Sequence, residues 1–280
     1  MNLFYKRKLV VATRHMKERV IAPVLEFELG VHCIKAHDLN TDVFGTFTGE
    51  VERTDDPLST LRKKCLTAME LAGTDLAVAT EGSFGQHPYG LFSVAGDELM
   101  MLMDAKHQIE LVVRECSTET NFSGKEIHSE NELLLFAQKA LFPSHALILR
   151  KDRNSHEDIF KGINQAHQLL ETYSLLSKKY ESVFVETDMR AMNNPTRMRK
   201  IGELTRKLVA DIRKACPQCN MPGFVITEKE PGLECENCMQ ATRTTKKHIY
   251  ICKHCSYRYE ESDPLKKGKE EPTYCDYCNP

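Results

Sequence analysis

The sequence predicts an α/β domain, a mixed sheet flanked by helices, followed by a small cysteine-rich module. Two observations carry this expectation. From residue 8 to about 213, short apolar runs alternate with stretches of helical periodicity, as βα units require. From residue 214 to 280 four Cys-x-x-Cys pairs crowd together, Cys216/Cys219, Cys235/Cys238, Cys252/Cys255 and Cys275/Cys278. The domains are therefore expected at 1–213 and 214–280.

Lys8–Thr13 reads as a short buried strand, followed by a helical stretch from His15 to Phe27 that Pro23 interrupts. Val31–Ala36 alternates like a second strand, and a Gly-, Thr- and Asp-rich loop spans Asp42–Pro57. Leu58–Leu71 has helical spacing and stops at Gly73, a residue suited to a helix C-terminus. Asp75–Gly82 is a buried strand that ends in a carboxylate. Leu91–Ala95, Glu98–Met103 and Ile109–Arg114 form a meander. Glu130–Leu141 is a helix, His145–Leu149 a strand, Ile159–Tyr180 a long helix and Val183–Asp188 the last core strand. Asn194-Pro195 then opens a helix, with Asn as N-cap and Pro at the first helical position. Its stripe of Met198, Ile201, Leu204, Leu208 and Ile212 leads directly into Cys216.

Each Cys-x-x-Cys turn aims two thiolates at one point, and two turns complete a tetrahedral zinc shell. Eight ligands suit two structural Zn²⁺ ions. The competing explanation is a disulfide framework, which needs an oxidising compartment. Met1–Lys6 has no apolar run of signal-peptide length, so a reducing cytoplasmic setting is expected. Sequential pairing is the simplest, Cys216/Cys219 with Cys235/Cys238 and Cys252/Cys255 with Cys275/Cys278, giving a double zinc ribbon. Interleaved and nested pairings stay open. Strand-like Gly223–Thr227 and Tyr257–Tyr259 would supply hairpin arms.

The other three of the eleven cysteines, Cys33, Cys65 and Cys116, sit among apolar residues and are expected to be reduced core thiols. A net charge of −2 argues against a chain built to grip nucleic acid. Residues 214–280 carry ten Lys/Arg and ten Asp/Glu, and each Zn(Cys)₄ centre adds a formal charge of about −2. The module is therefore expected to act as a scaffold or to meet a protein partner, despite the small basic cluster Arg243, Lys246, Lys247 and His248.

Two acidic motifs follow apolar strands, Thr80-Glu81-Gly82 and Glu186-Thr187-Asp188-Met189-Arg190. In an open α/β sheet, ligands gather beyond the carboxyl ends of parallel strands. If these strands are parallel neighbours, Glu81, Glu186 and Asp188 converge on one crevice, where clustered carboxylates suit Mg²⁺ and phosphates. Gly82 and Gly85 would let a ligand approach the backbone. Arg190 and Arg197 bracket Asn194-Pro195, and Arg197 in a first helical turn is disfavoured by the macrodipole unless an anion compensates it. The competing explanation is a structural ion pair with Asp188 or Glu186. His15, His87 and His128 have no partner at metal-ligand spacing, and Gly-x-Ser-x-Gly, Gly-x-Gly-x-x-Gly and P-loop motifs are missing.

Val10-Val11-Ala12-Thr13-Arg14-His15-Met16-Lys17 and Asp75-Leu76-Ala77-Val78-Ala79-Thr80-Glu81-Gly82-Ser83 resemble two motifs of the inosine/xanthosine triphosphatase superfamily. That family opens with a strand and Thr-Asn-x-x-Lys; here Arg14 replaces the Asn. The resemblance spans roughly residues 8 to 125 and implies that Thr13 and Lys17 hold phosphates while Glu81 holds Mg²⁺ or orients water. The helix beginning at Asp55-Asp56-Pro57 departs from the family's pattern, which puts its second catalytic carboxylate in doubt. Glu186–Ala191, Asn194–Met198 and the following Cys-Pro-x-Cys look like an uncharacterised bacterial domain family with no function to carry over.

The expected function is a Mg²⁺-dependent hydrolase that cleaves a phosphoanhydride of a nucleotide-like substrate. Lys17, Glu81 and Asp188 would be catalytic, with Thr13, Gly82, Arg190 and Arg197 contacting the ligand. The alternative is a non-catalytic zinc-ribbon adaptor or ligand-binding module, with nucleic-acid processing third. Convergence of Lys17, Glu81 and Asp188 would favour the enzyme, and carboxylates locked to Arg190 or Arg197 would favour the adaptor.

Overall fold

A computed structural model describes residues 3–36, 39, 55–87 and 93–280. It divides into two compact units, Met1–Leu208 and Val209–Pro280. Most of the expected Asp42–Pro57 loop, and the first two residues of the expected Leu91–Ala95 strand, lie outside the described residues.

In the first unit β1 (Lys8–Ala12) is followed by α1 (Glu18–Leu29), β2 (His32–Lys35) and α2 (Pro57–Ala72). Next come β3 (Leu76–Gln86), β4 (Val94–Asp104) and β5 (Ile109–Ser117). These strands form one mixed sheet in the order β2-β1-β3-β4-β5. β1 lies parallel to both β2 and β3, whereas β3, β4 and β5 are antiparallel. The chain steps from β1 outward to β2, then back across β1 to β3. Right-handed crossovers therefore set α1 and α2 on opposite faces and make β1 the point where strand order reverses. α2 is well signalled: Asp56 Oδ1 accepts the amides of Leu58 and Ser59 at 2.9 and 3.1 Å, Pro57 starts the helix, and Gly73 ends it at φ 59°. Its buried Leu61, Cys65, Ala68 and Met69 pack with Val10, Ala77, Ala79 and Met101.

The second sheet of this unit uses β6 (Gly124–Ile127), β7 (Leu147–Arg150), β8 (Phe160–Ile163) and β9 (Val183–Thr187), in the order β6-β9-β7-β8, all antiparallel. α3 (Glu130–Lys139) and α4 (Ala166–Ser177) supply Leu133, Phe136, Leu169, Tyr173 and Leu176 to its core. α5 (Pro195–Ile212) follows β9, with Asn194 Oδ1 accepting the Arg197 amide at 3.0 Å.

Several expectations need correction. α1 does not break at Pro23; one lost amide is outweighed by Ile21, Leu25 and Leu29, all buried along one stripe. The expected long helix 159–180 is β8 followed by α4. Phe160–Ile163 pairs with β7, and Gly162 at φ 75° cannot continue a right-handed helix. β3 does not end at Glu81 but runs on to Gln86, paired with β4 throughout. β3 and β9 are not parallel neighbours either: they belong to different sheets, and β9 is antiparallel to both its neighbours.

The second unit holds β10 (Ile226–Pro231), β11 (Thr245–Ile251) and β12 (Arg258–Ser262) in one antiparallel meander. Among the described residues no helix is long and apolar enough to cross a membrane.

Candidate functional site

The four knuckles share one local geometry. In each, the amide of the residue after the second cysteine donates to the carbonyl of the first: Asn220 to Cys216, Met239 to Cys235, Ser256 to Cys252 and Asn279 to Cys275, at 2.8–3.0 Å. Asn220, Met239 and Ser256 adopt φ of 60–62°, the left-handed twist that closes the turn. The sulfurs gather as Cys216, Cys219, Cys252 and Cys255, and as Cys235, Cys238, Cys275 and Cys278. Contacts across each cluster are Cys216–Cys255 at 3.7 Å, Cys219–Cys252 at 3.6 Å, Cys235–Cys278 at 3.9 Å and Cys238–Cys275 at 3.6 Å. A tetrahedron with Zn–S bonds of about 2.3 Å has edges of about 3.8 Å. All eight thiols are free of disulfides. Both clusters are therefore compatible with structural zinc.

The pairing is interleaved, first with third and second with fourth, and the expected sequential ribbons are overturned. The cause is the meander. A knuckle stands before β10, between β10 and β11, between β11 and β12, and after β12. Antiparallel strands return the chain to the same end at every second turn. Odd-numbered pairs therefore meet at one end of the sheet and even-numbered pairs at the other.

In the first unit a buried cluster of charges forms where β1 stops. β1 ends at Ala12 opposite Ala79, while β3 continues. Thr13 is buried just beyond β1, and its Oγ1 accepts the His15 amide at 3.2 Å. Lys17, at the head of α1, is buried and donates from Nζ to Thr80 Oγ1 at 2.6 Å. Successive β3 side chains point to opposite faces, so Glu81 turns the other way. It is ion-paired with Lys64 of α2. Gly82 stands opposite Glu98 of β4. Over that pair lies Arg197, which is ion-paired with Glu98, donates to the Met189 carbonyl, and holds its guanidinium 5.1 Å from the centroid of the Phe84 ring.

Asp188 has no exposed surface. It accepts from the Arg190 guanidinium at 2.6 Å and from Asn193 Nδ2 at 2.7 Å. Glu186 faces Arg150 at 3.1 Å on the second sheet instead of Glu81. Lys17, Gly82 and Arg197 thus lie on one face of β3, close to Thr13 at the end of β1, while Glu81 and Lys64 lie on the other. The carboxylates do not converge: Glu81, Glu98 and Asp188 each face a cation.

The cations act on one another electrostatically. Burial, then the Arg197 charge, pushes Lys17 down to about 7, with Lys64 opposing its charge and Glu98 and Glu81 favouring it. Burial, then Lys17, Arg197 and Arg190, pushes His15 down to about 3. Lys17, Lys64, Arg190 and Arg197 face the three carboxylates Glu81, Glu98 and Asp188, which leaves an excess of positive charge when Lys17 is protonated.

Two members of the cluster, Lys64 and Glu98, lie outside the two acidic motifs of the sequence. Lys64 had a signal: it lies on the same helical stripe as Leu61, Cys65 and Ala68, where a lysine needs a partner. A Cβ on Gly82 would fall closer than 3.0 Å to Arg197 Nη2 and Glu98 Oε1, so Gly82→Ala must displace a buried ion pair. We expect it to cost about 1–3 kcal/mol in urea unfolding. A neutral result would show that the pair moves aside freely.

A family model described as a domain of unknown function (DUF6671) matches residues 64–280. No curated relative matches the chain at a significant level.

Proposed function

The chain belongs to this DUF6671 family, whose description assigns no activity, and we propose from the site that the first unit holds the phosphates of a nucleotide-like anion and cleaves a phosphoanhydride. The observation that supports this is Lys17: a buried lysine crowded by Arg197 and pushed down to about 7 is relieved by an incoming anion. Its place fits too, because β1 is the strand at which sheet order reverses and ligands bind beyond the carboxyl end of such strands.

In this proposal Lys17 binds phosphate oxygens, and Arg197, whose guanidinium is taken up by Glu98 and the Met189 carbonyl, offsets their charge from behind. Arg190, oriented by Asp188 and Asn193, offsets charge at the rim. Because β1 ends at Ala12, phosphates held by Lys17 at that end of the sheet could be met from the other face of β3 by Glu81, which would leave Lys64 and orient water. The water oxygen adds to phosphorus and its proton passes to Glu81. The bridging P–O bond breaks with its electron pair on the departing phosphate. Positive groups fixed at the developing charge would supply most of the rate enhancement.

A Mg²⁺ cage of protein carboxylates is not built here: among the described residues the only groups of three or more candidate ligands are the two cysteine clusters. Mg²⁺ instead fits as an ion that arrives with the phosphates, for which one or two protein carboxylates suffice, and Glu81 is the one beside Lys64. When bound it would neutralise phosphate oxygens. The charge-balanced, zinc-compatible unit is assigned to scaffolding or to protein contact.

Purified protein with Mg²⁺ and a panel of nucleoside triphosphates should release phosphate or pyrophosphate and show a thermal shift. Neither turnover nor a shift with any of them would sink the proposal. Asp188 is locked to Arg190 and Glu98 to Arg197, the arrangement expected of the non-catalytic alternative, which here would be a module that binds the same anion without cleaving it. A thermal shift without turnover would select that one.

A further inference from the structure

The sheet of the second unit carries its large aromatic residues on an open face. Ile226 stands opposite Tyr250, and Tyr250 opposite Tyr259, so the three side chains form a row across the strands. Phe224 joins them, its ring centroid 5.5 Å from that of Tyr250 and 5.8 Å from that of Tyr257. The Tyr250 and Tyr259 centroids lie 5.8 Å apart. Ile249, the buried apolar residue of β11, points to the other face. The row stays open to water: Phe224, Tyr250 and Tyr257 are part-exposed, and Tyr259 at its end keeps 48% of its surface. A unit that buries so few apolar side chains would gain by burying these, so their exposure on one surface marks an interaction site.

The unit is charge-balanced as a whole, but its sheet divides the charges between two faces. Glu228, Glu230 and Glu260 share the Ile249 face with Lys247 and Arg258, and Glu260 pairs with both cations at 2.8 Å. The aromatic face holds Lys229, His248 and, by alternation, Lys246, against the single strand carboxylate of Glu261. Glu261 accepts from the Tyr250 hydroxyl at 3.0 Å and stands 3.5 Å from His248. Lys229 and Lys246 are exposed, and neither has an ion pair among the described residues. They lie about 7 and 14 Å along the sheet from the row. Rings beside unpaired cations suit a chain of flat, stackable groups joined by anions. An acidic polypeptide would use the lysines and leave the rings unmatched.

We propose that this face binds single-stranded nucleic acid. A base stacks on Tyr259 at the open end of the row, and the sugar–phosphate backbone runs toward Lys229 and Lys246. Duplexes are disfavoured because their bases already stack on one another. This role adds to the scaffolding assigned to the unit and is independent of the anion site in the first unit. Two lysines give a modest electrostatic grip, in keeping with the net charge of −2, so stacking carries much of the affinity.

The test uses full-length protein purified with zinc and labelled oligo(dT) and oligo(U) about 12 nucleotides long, within the usual site size. Fluorescence anisotropy compares these with the dT·dA duplex and with oligoglutamate. Either single strand should bind with Kd of about 10⁻⁴–10⁻⁶ M at physiological salt, at least about tenfold more tightly than duplex or oligoglutamate. Tyr259→Leu keeps apolar bulk, and should lower affinity at least about fivefold while leaving the salt dependence unchanged. Lys229→Gln with Lys246→Gln should instead flatten the slope of log K against log salt by about 1.4, or 0.7 per phosphate contact. Zinc content and circular dichroism check that each variant is folded, and the lysine pair, altered only at exposed side chains, stays informative if Tyr259→Leu is not. Single strands left unbound, or duplex or oligoglutamate bound as tightly, would overturn the proposal. So would a folded Tyr259→Leu or lysine variant that binds as the parent does, since the contact would then lie elsewhere.

Discussion

Chelation of the metal that the two Cys₄ clusters are shaped to hold is expected to unfold Val209–Pro280 and leave Met1–Leu208 folded. Apart from cysteines, the second unit buries only Val209, Ile212, Leu233 and Ile249 among its apolar residues. Such a core is far too small to offset the chain entropy of a segment this long. Structural zinc contributes apparent free energies of about 10–16 kcal/mol per site at neutral pH, so the metal decides whether this unit folds. Interleaving sharpens the expectation. In two sequential ribbons, Cys238→Ser would cripple the first ribbon and spare the second. Here Cys238 belongs to the cluster at one end of a sheet whose other end carries Cys216, Cys219, Cys252 and Cys255. One substitution should therefore lower protection from hydrogen exchange across β10, β11 and β12 together. Elemental analysis should find about two zinc ions per parent chain and fewer in the variant. Persistent protection in β12, with loss confined to β10, would restore the sequential arrangement.

That difference also shows what the sequence could disclose. The ligands were legible because thiolate chemistry fixes their spacing. Their pairing depends on how many strands lie between them. Thr245–Ile251 escaped notice because Lys246, Lys247 and His248 suggest a solvent-facing basic cluster, whereas alternate positions of the same segment place Ile249 in the interior. Counted as a strand, it makes a three-stranded meander, and the interleaved pairing follows.

The first unit divides along the same line. α2 was legible through Asp56, Pro57 and Gly73, and the start of α5 through Asn194 and Pro195, because caps are local chemistry. The extension of β3 past Glu81 was not, since Ser83–Gln86 carries little apolar signal and is held by β4, where Phe84, Gly85 and Gln86 stand opposite Gly96, Ala95 and Val94. Lys17 and Glu81 were found, but their partners Thr80, Lys64 and Glu98 come from a β3 neighbour, a helix face and a paired strand. Partners of that kind become visible only with tertiary structure.

Lys17→Met is expected to make the protein more stable at neutral pH while abolishing its affinity for phosphates. Lys17 ordinarily titrates at 10.5 and is pushed down to about 7 in the folded chain. Between these values the unfolded chain binds a proton that the folded chain lacks, so the Lys17 contribution to stability rises with pH from about 7 to 10.5. Below 7 both states are protonated and the full penalty of a buried ammonium is present. Methionine removes that penalty, keeps the length of the side chain, and loses the bond to Thr80. The balance should be a gain on the order of 1–4 kcal/mol at pH 7 that shrinks toward zero by pH 10.5. Subtracting the two stability–pH curves cancels the other titrating groups and isolates this one. Binding follows the opposite arithmetic. An anion favours the charged lysine, so tripolyphosphate affinity in the parent should be greatest below pH 7 and fall as pH rises through it. In the variant that pH dependence should vanish along with at least about a hundredfold of affinity, an electrostatic loss of about 2.7 kcal/mol in this enclosed setting. A variant no more stable than the parent at pH 7, with its phosphate affinity intact, would show that Lys17 carries no unrelieved charge and is not the anion's contact.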